Sequence, residues 1–194
     1  MENITINTLV FPDSVLATNK TPKIKKIFHI SDIHINLYRR HEEYRYVFNN
    51  LYKHLSESIQ FNNIKSGEAI IIVTGDILHS KTELSPECIY LTMDFFIKLS
   101  KIAPLIIIAG NHDANLNNKN RLDALSPIIE HLDKKILPIY YFKESGVYNL
   151  YNISFGVTSV FDYNFIKASD IPNNNQIKQI DQIKIGLYHG MVKS

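Results

Sequence analysis

Runs of consecutive apolar residues alternate with longer amphipathic stretches through much of the chain. Residues 69–73 and 105–108 are uninterrupted apolar runs, which predict strands buried on both faces. Residues 44–59 carry apolar side chains at spacings of three and four, and this pattern predicts an amphipathic helix. The alternation of strands with helices is typical of a layered α/β domain.

The alternation of strands and helices continues along the chain and ends at a predicted pair of consecutive strands. Ser85 suits the N-cap of a helix and Pro86 its first position, so a second helix should run from there to about Ser100. Closely spaced β segments at 146–160, interrupted by asparagine and glycine, predict an antiparallel hairpin. The other predicted elements are strands at 23–30, 139–142 and 183–188 and a helix at 121–132.

These elements predict one domain over residues 23–194, with central β-sheets flanked by helices. Residues 1–22 show no clear period and are expected to form an N-terminal lead-in. The chain has 194 residues, of which 45% are hydrophobic and 21% charged, a balance that excludes wholesale disorder. Its formal net charge of +2 excludes a histone-like polycation but not a local basic patch.

Cysteine usage and the length of the apolar runs indicate the compartment. Cys88 is the single cysteine, which rules out an internal disulfide and a cysteine-rich zinc module and fits a reducing compartment. No apolar run is long enough to cross a bilayer, and no signal peptide is evident at the start of the chain. We therefore expect a soluble, intracellular protein.

Polar side chains come directly after each of the buried strands. Asp32 and His34 come after the first strand, Gly75-Asp76 and His79 after the second, Asn111-His112 after the third and His189 after the last. In an α/β sheet, functional groups gather beyond the carboxyl ends of the strands. This ligand set contains carboxylates, imidazoles and an amide but no thiolate, and such a set suits Mn, Fe or Zn. The pattern predicts a metal site at this edge.

The spacing of these residues suggests separate roles. Asp32 and His34, two positions apart at a strand end, can reach one ion, and the two oxygens of Asp76 can bridge two ions. Two ions can clamp a phosphate and activate a nucleophile. His112 is the candidate to protonate the leaving group, with Asp113 orienting it. His79 fits either a structural loop or the site.

Other polar residues allow structural interpretations. His29, His41, His54 and His131 lie within predicted strands or helices and are treated as non-ligands. Arg39, Arg40 and Arg45 suit a solvated helix face, the commoner case, or contacts to a phosphate backbone. The polar loop at 115–121 lies beside the predicted site, and a role in substrate binding stays open.

Together these motifs resemble the calcineurin-like metallophosphoesterase superfamily. The matching segments are Asp32-x-His34, Gly75-Asp76, Gly110-Asn111-His112-Asp113 and His189. Residues 75–79 resemble the branch of SbcD-type DNA-repair nucleases, including phage recombination endonuclease subunits, and residues 28–46 and 109–125 look like phage and large-virus members. The resemblance covers residues 26–192 and implies the layered metallophosphoesterase fold.

The resemblance implies a role for each matching residue. Asp32 and His34 would hold one metal, Asp76 would bridge the pair, and Asn111 and His189 would hold the second. His112, supported by Asp113, would act at the leaving group, and His79 would help to position DNA. Members of this branch are Mn-dependent exo- and endonucleases. They form homodimers, which work together with a coiled-coil, SMC-like ATPase of the SbcC type. The implied location is the cytoplasm of a bacterial or virus-infected cell.

One motif of the family is expected downstream of His189. It has the form Gly-His-x-His and would add one ligand to each metal, but the 194 residues do not contain it. We therefore expect a truncated gene product or a fragment of a longer protein. The sequence leaves two alternatives to a DNA nuclease: a phosphoesterase acting on small nucleotides or phosphoproteins, and a catalytically incomplete scaffold that docks the ATPase.

Overall fold

Two four-stranded sheets form the framework of the protein. The computed structural model describes residues 4–16, 22–118, 121–133, 136–173 and 182–190. In chain order the strands are β1 (Ile6–Leu9), β2 (Lys26–Ile30), β3 (Ala69–Thr74), β4 (Leu105–Ile108), β5 (Ile139–Tyr141), β6 (Gly146–Leu150), β7 (Ile153–Thr158) and β8 (Ile183–Tyr188). The first sheet has the order β2-β3-β4-β5, and the second has the order β1-β6-β7-β8.

The strand directions explain why polar residues meet at one edge. All neighbouring strands of the first sheet are parallel, so the segments after β2, β3 and β4 leave from the same side. In the second sheet β8 runs parallel to β7, whereas β6 and β7 form the antiparallel hairpin that the sequence predicts. Strand β1, within the predicted lead-in, pairs in parallel with β6.

Three α-helices accompany the sheets in the described part of the chain: α1 (His41–Phe61), α2 (Pro86–Ile102) and α3 (Ser126–Glu130). The predicted start of α2 is confirmed, because the Ser85 side chain caps it by accepting the Cys88 N–H at 3.1 Å. The described helices include none with an apolar stretch of the length that a bilayer requires.

The predicted helix at 121–132 is wrong in length, because only Ser126–Glu130 is helical. The Asp123 carboxylate accepts the N–H groups of Leu125 and Ser126, at 3.0 and 2.7 Å, and so forms a turn before the helix. The Ala124 N–H donates to the Asp113 carbonyl at 2.9 Å, a contact outside any helix. These bonds use the backbone groups that an earlier helical turn would need.

Strands β3 and β4 are buried on both faces, as the apolar runs predict. One face, including Ile70 and Ile106, packs against the second sheet, where Phe155 is fully buried. The opposite face, including Ile71 and Ile107, belongs to a second cluster with residues of α1 and α2. The α/β fold with central sheets flanked by helices is thus confirmed.

Candidate metal centre

The loops after β2 and β3 are joined backbone to backbone beyond the strand ends. The N–H of Asp32 donates to the Gly75 carbonyl at 3.2 Å, and the N–H of His34 donates to the Asp76 carbonyl at 2.9 Å. Asp32, His34 and Asp76 all have φ between +50° and +56°, a left-handed conformation that is rare for such residues. This strained, paired arrangement places the three side chains side by side.

Asp32, Asp76 and His189 form one group of candidate ligands. One ligand atom from each lies within 4.8 Å of the others. His189 Nδ1 lies 2.7 Å from the Thr74 carbonyl oxygen, and since a carbonyl only accepts, Nδ1 must carry the proton. The lone pair of Nε2, 3.3 Å from Asp76 Oδ1, is therefore available to a metal. A backbone carbonyl that orients a metal-binding histidine in this way is common around metal sites.

His34, His79 and His112 form a second group, with one candidate ligand atom from each again within 4.8 Å of the others. His112 Nδ1 donates to the His79 carbonyl at 2.9 Å, which leaves the Nε2 lone pair free. His34 Nε2 lies 3.6 Å from Asp76 Oδ2, so His34 connects the two groups. His34 Nδ1 is buried and has no hydrogen-bond partner among the described residues.

Asp76 occupies the position that suits a bridging ligand. Its side chain is almost fully buried, with Oδ1 facing His189 and Oδ2 facing His34. The N–H of His112 donates to Oδ1 at 2.9 Å and holds the carboxylate in this orientation. Carboxylates and imidazoles are the ligands that divalent Mn, Fe and Zn accept, so the residues present fit a metal centre.

Comparison with known proteins agrees with this geometry. The chain matches the calcineurin-like phosphoesterases over residues 25–192, which is most of its length. It belongs to this family. It is also 51% identical over 179 residues to an uncharacterized protein of Acanthamoeba polyphaga mimivirus. That match covers 91% of this chain but 13% of the mimivirus protein, so the chain spans a small part of its relative's length.

Membership of the calcineurin-like phosphoesterases supports metal-dependent hydrolysis of phosphoesters as the activity class. The family binds divalent metals, and the two groups of ligands provide places for them. Asn111 lies exposed in the turn after β4, directly before His112, and its role as a ligand stays a prediction. His29, His41, His54 and His131 lie outside both groups.

Asp113 is not seen to orient the His112 ring as the sequence predicts, because the described contacts of its carboxylate are with main-chain N–H groups and His112 Nδ1 bonds to the His79 carbonyl. The side chain is fully buried and accepts the N–H groups of Ile77, Leu78 and Gly110, with its shortest contacts at 2.9 Å. Burial raises the pKa of Asp113 to about 6, although these N–H groups act in the opposite direction. Asp113 therefore joins the loops after β3 and β4.

The support for His112 comes instead from the main chain of His79. The carbonyl of His79 accepts the proton on His112 Nδ1, and the N–H of His79 donates to the Ile35 carbonyl at 3.0 Å. A main-chain contact of this kind does not depend on residue type, so no sequence motif reveals it. The Gly-Asp-x-x-His spacing of residues 75–79 indicated only that His79 lies near the predicted metal site.

A cavity of about 340 Å³ lies at the same edge of the protein. The loop after β4 contributes Arg121, the segment after β5 contributes Lys143, and the segment after β7 contributes Phe161 and Tyr163. Lys143 Nζ is 2.8 Å from Asp123 Oδ2, so its charge is already paired. Arg121 is exposed and has no ion pair with the described residues. Residues 119 and 120 of the predicted polar loop lie outside those residues.

Gly110 provides a test of the contact between loops that holds Asp76. A Cβ at Gly110 would lie 2.1 Å from Asp76 Oδ1 and 2.4 Å from the Asp76 nitrogen. We expect Gly110→Ala to displace Asp76 and to weaken metal binding at least about tenfold, as measured by calorimetric titration with Mn²⁺. Gly186→Ala is the matched control, because a Cβ there meets nothing within 4 Å. Equal metal affinity in both variants would show that Asp76 need not be held in this place.

Proposed function

We propose that this calcineurin-like phosphoesterase is a Mn-dependent nuclease that hydrolyses phosphodiester bonds of DNA, as an exo- or endonuclease in repair or recombination. The observation that carries the proposal is the cavity at the same edge as the metal-ligand groups, which an exposed guanidinium group and two aromatic rings line. The resemblance of residues 75–79 to SbcD-type nucleases favours the same substrate.

The proposed roles combine the family resemblance with the two groups of candidate ligands in the structure. Asp32, His34, Asp76, Asn111 and His189 would hold the ions. Two bound divalent ions would polarise the phosphate and lower the pKa of a water nucleophile. Because these five residues would bind metal, another residue must donate a proton to the leaving-group oxygen.

His112 is suited to supply that proton. Its Nδ1 is committed to the His79 carbonyl, so Nε2 alone can carry a proton towards the substrate. The ring centroid of His112 lies 4.8 Å from that of His34, so Nε2 acts beside the metal ligands. His79, whose side chain is exposed, would contact the DNA.

DNA would be held by charge and by stacking. Arg39 and Arg121 are exposed, and the structure gives neither guanidinium an ion pair with a described residue. By contrast, Arg40 and Arg45 are engaged with Glu43 and Glu42, so they are less free to bind phosphate. Phe161 and the half-exposed Tyr163 line the cavity, where an unpaired base could stack on an aromatic ring.

The substrate can be tested with the double variant Arg39→Gln/Arg121→Gln. We expect it to raise KM for single-stranded DNA at least about tenfold, while hydrolysis of bis(p-nitrophenyl) phosphate with Mn²⁺ stays unchanged. The slope of log K against log salt for DNA binding should become smaller by about 1.4, because two phosphate contacts are lost. Steady-state cleavage and fluorescence anisotropy provide the two measurements.

Lys53→Gln is the control, since Lys53 lies about 18 Å along α1 from His41 and pairs only weakly with Glu57, at 3.9 Å. It removes one positive charge away from the site. If the small diester is cleaved at least as efficiently as DNA and the arginine variant changes nothing, the nuclease proposal fails. A phosphoesterase of small nucleotides or phosphoproteins then replaces it. The homodimer and the SMC-like ATPase remain predictions that follow from the same proposal.

A further inference from the structure

Three imidazoles from three separate loops meet beside the predicted metal pair. His34 lies after β2, His79 after β3 and His112 after β4. Their ring centroids are 4.8 Å apart for His34 and His112, 5.9 Å for His34 and His79, and 6.0 Å for His79 and His112. A cluster of three imidazoles is a ligand set in its own right, which differs chemically from the neighbouring group of Asp32, Asp76 and His189.

Each of the three rings has a nitrogen available for a ligand. His112 Nε2 is free because Nδ1 donates to the His79 carbonyl. The His79 ring is exposed and makes no hydrogen bond with the side chains or main chain of the described residues. The His34 ring makes no hydrogen bond with the described residues, since Nδ1 is buried without a partner and Nε2 lies 3.6 Å from Asp76 Oδ2, so its lone pair is not committed to a protein donor.

We propose that His34, His79 and His112 form a zinc site, distinct from the Asp32–Asp76–His189 group, and that zinc bound there inhibits the hydrolytic centre. Three neutral imidazoles and a water molecule satisfy the tetrahedral preference of Zn²⁺. Mn²⁺ favours oxygen ligands and is better served by the group that contains the two carboxylates. The three-histidine group therefore discriminates in favour of Zn²⁺ over Mn²⁺ more strongly than the group with the two carboxylates does.

The distances require a small closing movement. With Zn–N bonds of about 2.05 Å, tetrahedral ligand nitrogens lie about 3.4 Å apart. The candidate atoms of the three histidines lie within 4.8 Å of one another, so they are about 1.4 Å too far apart at most. His79 is exposed, and rotation of its ring can supply most of this movement while the backbone stays in place.

Inhibition follows from the number of lone pairs. A neutral imidazole has one unprotonated nitrogen and can bind one ion through it. Zinc on His34 would withdraw this residue from the ion that it shares with Asp32, and zinc on His112 would block proton donation to the leaving group. This second half of the proposal rests on the proposed function, whereas zinc binding itself does not.

Zinc binding can be measured without activity. In the background variant Asp32→Asn/His189→Ala, which disables the other group, we expect one Zn²⁺ per chain by calorimetric titration. Co²⁺ should show the intense visible absorption of tetrahedral coordination. Adding His79→Ala should lower the zinc affinity at least about tenfold and abolish that absorption, because a ligand is lost. The main-chain contacts of residue 79 survive this change.

His131→Ala is the matched control, since the His131 ring bonds to the Pro127 carbonyl and lies outside both groups. Equal zinc affinity with and without His79 would overturn the proposal. Where circular dichroism shows that the background variant is unfolded, the same comparison of His79→Ala with His131→Ala is made in the otherwise unchanged chain without added Mn²⁺, because Mn²⁺ would compete for His34.

Inhibition by zinc is measured separately, as the rate of hydrolysis of bis(p-nitrophenyl) phosphate with Mn²⁺. Added zinc should inhibit the unchanged chain, and His79→Ala should raise the zinc concentration for half inhibition at least about tenfold. Inhibition at the same zinc concentration in both proteins would overturn this half. Because the assay does not use DNA, its outcome is independent of whether DNA is the substrate.

Discussion

Replacement of Asp76 by asparagine is expected to reduce metal-dependent phosphodiester hydrolysis at least about 10³-fold, a loss of about 4 kcal/mol of transition-state stabilisation. Asp76 lies between His34 and His189 and directs one oxygen towards each. Asparagine keeps the shape of the side chain but replaces one oxygen with an NH₂ group and removes the negative charge. It can no longer serve two ions, so both metal affinity and kcat should fall.

The measurement is the steady-state rate on bis(p-nitrophenyl) phosphate across a titration of Mn²⁺. Asp94→Asn is the matched control, because Asp94 lies on α2 and pairs with Lys98 away from the site. It should change the rate less than about twofold. A rate for Asp76→Asn within about tenfold of the unchanged chain would exclude Asp76 as a shared ligand.

The change Asp113→Asn is expected to lower the free energy of unfolding by about 3 kcal/mol at about pH 7.5. The Asp113 carboxylate is the acceptor for three main-chain N–H groups on two loops. With asparagine, the NH₂ group faces at least one of these donors and leaves it buried without an acceptor. For a domain of this size, the melting temperature should fall by about 6–12 °C.

Thermal unfolding followed by circular dichroism measures this effect, and Asp94→Asn should shift the melting temperature by less than about 2 °C. The outcome separates two interpretations of Asp113. A residue that only oriented His112 would affect the rate and its pH profile while leaving stability intact. An unchanged melting temperature with a slower reaction would therefore contradict the role that the contacts assign to Asp113.

Much of the framework could be predicted from local patterns. The apolar runs of β3 and β4 indicated strands buried on both faces, and Ser85 with Pro86 marked the start of α2, because these signals depend on neighbouring residues alone. The chemistry at the strand ends could be predicted as well. Parallel strands place the loops at their carboxyl ends along one edge, so the order of motifs along the chain sufficed to bring Asp32, His34 and Asp76 together. His189 follows β8 in the other sheet, so the packing of the two sheets decided its place beside Asp76.

Only the tertiary structure decided which partner each polar group has. Asp113 binds main-chain N–H groups at positions 77 and 78, and His112 relies on a carbonyl rather than on a side chain. Strand β1, which shows no pattern, is stabilised by pairing with β6. Contacts between residues far apart in the chain, made through backbone groups that every residue carries, have no signature in the sequence. The motifs determined where this phosphoesterase has its chemistry, and the fold determined how its loops are held together around it.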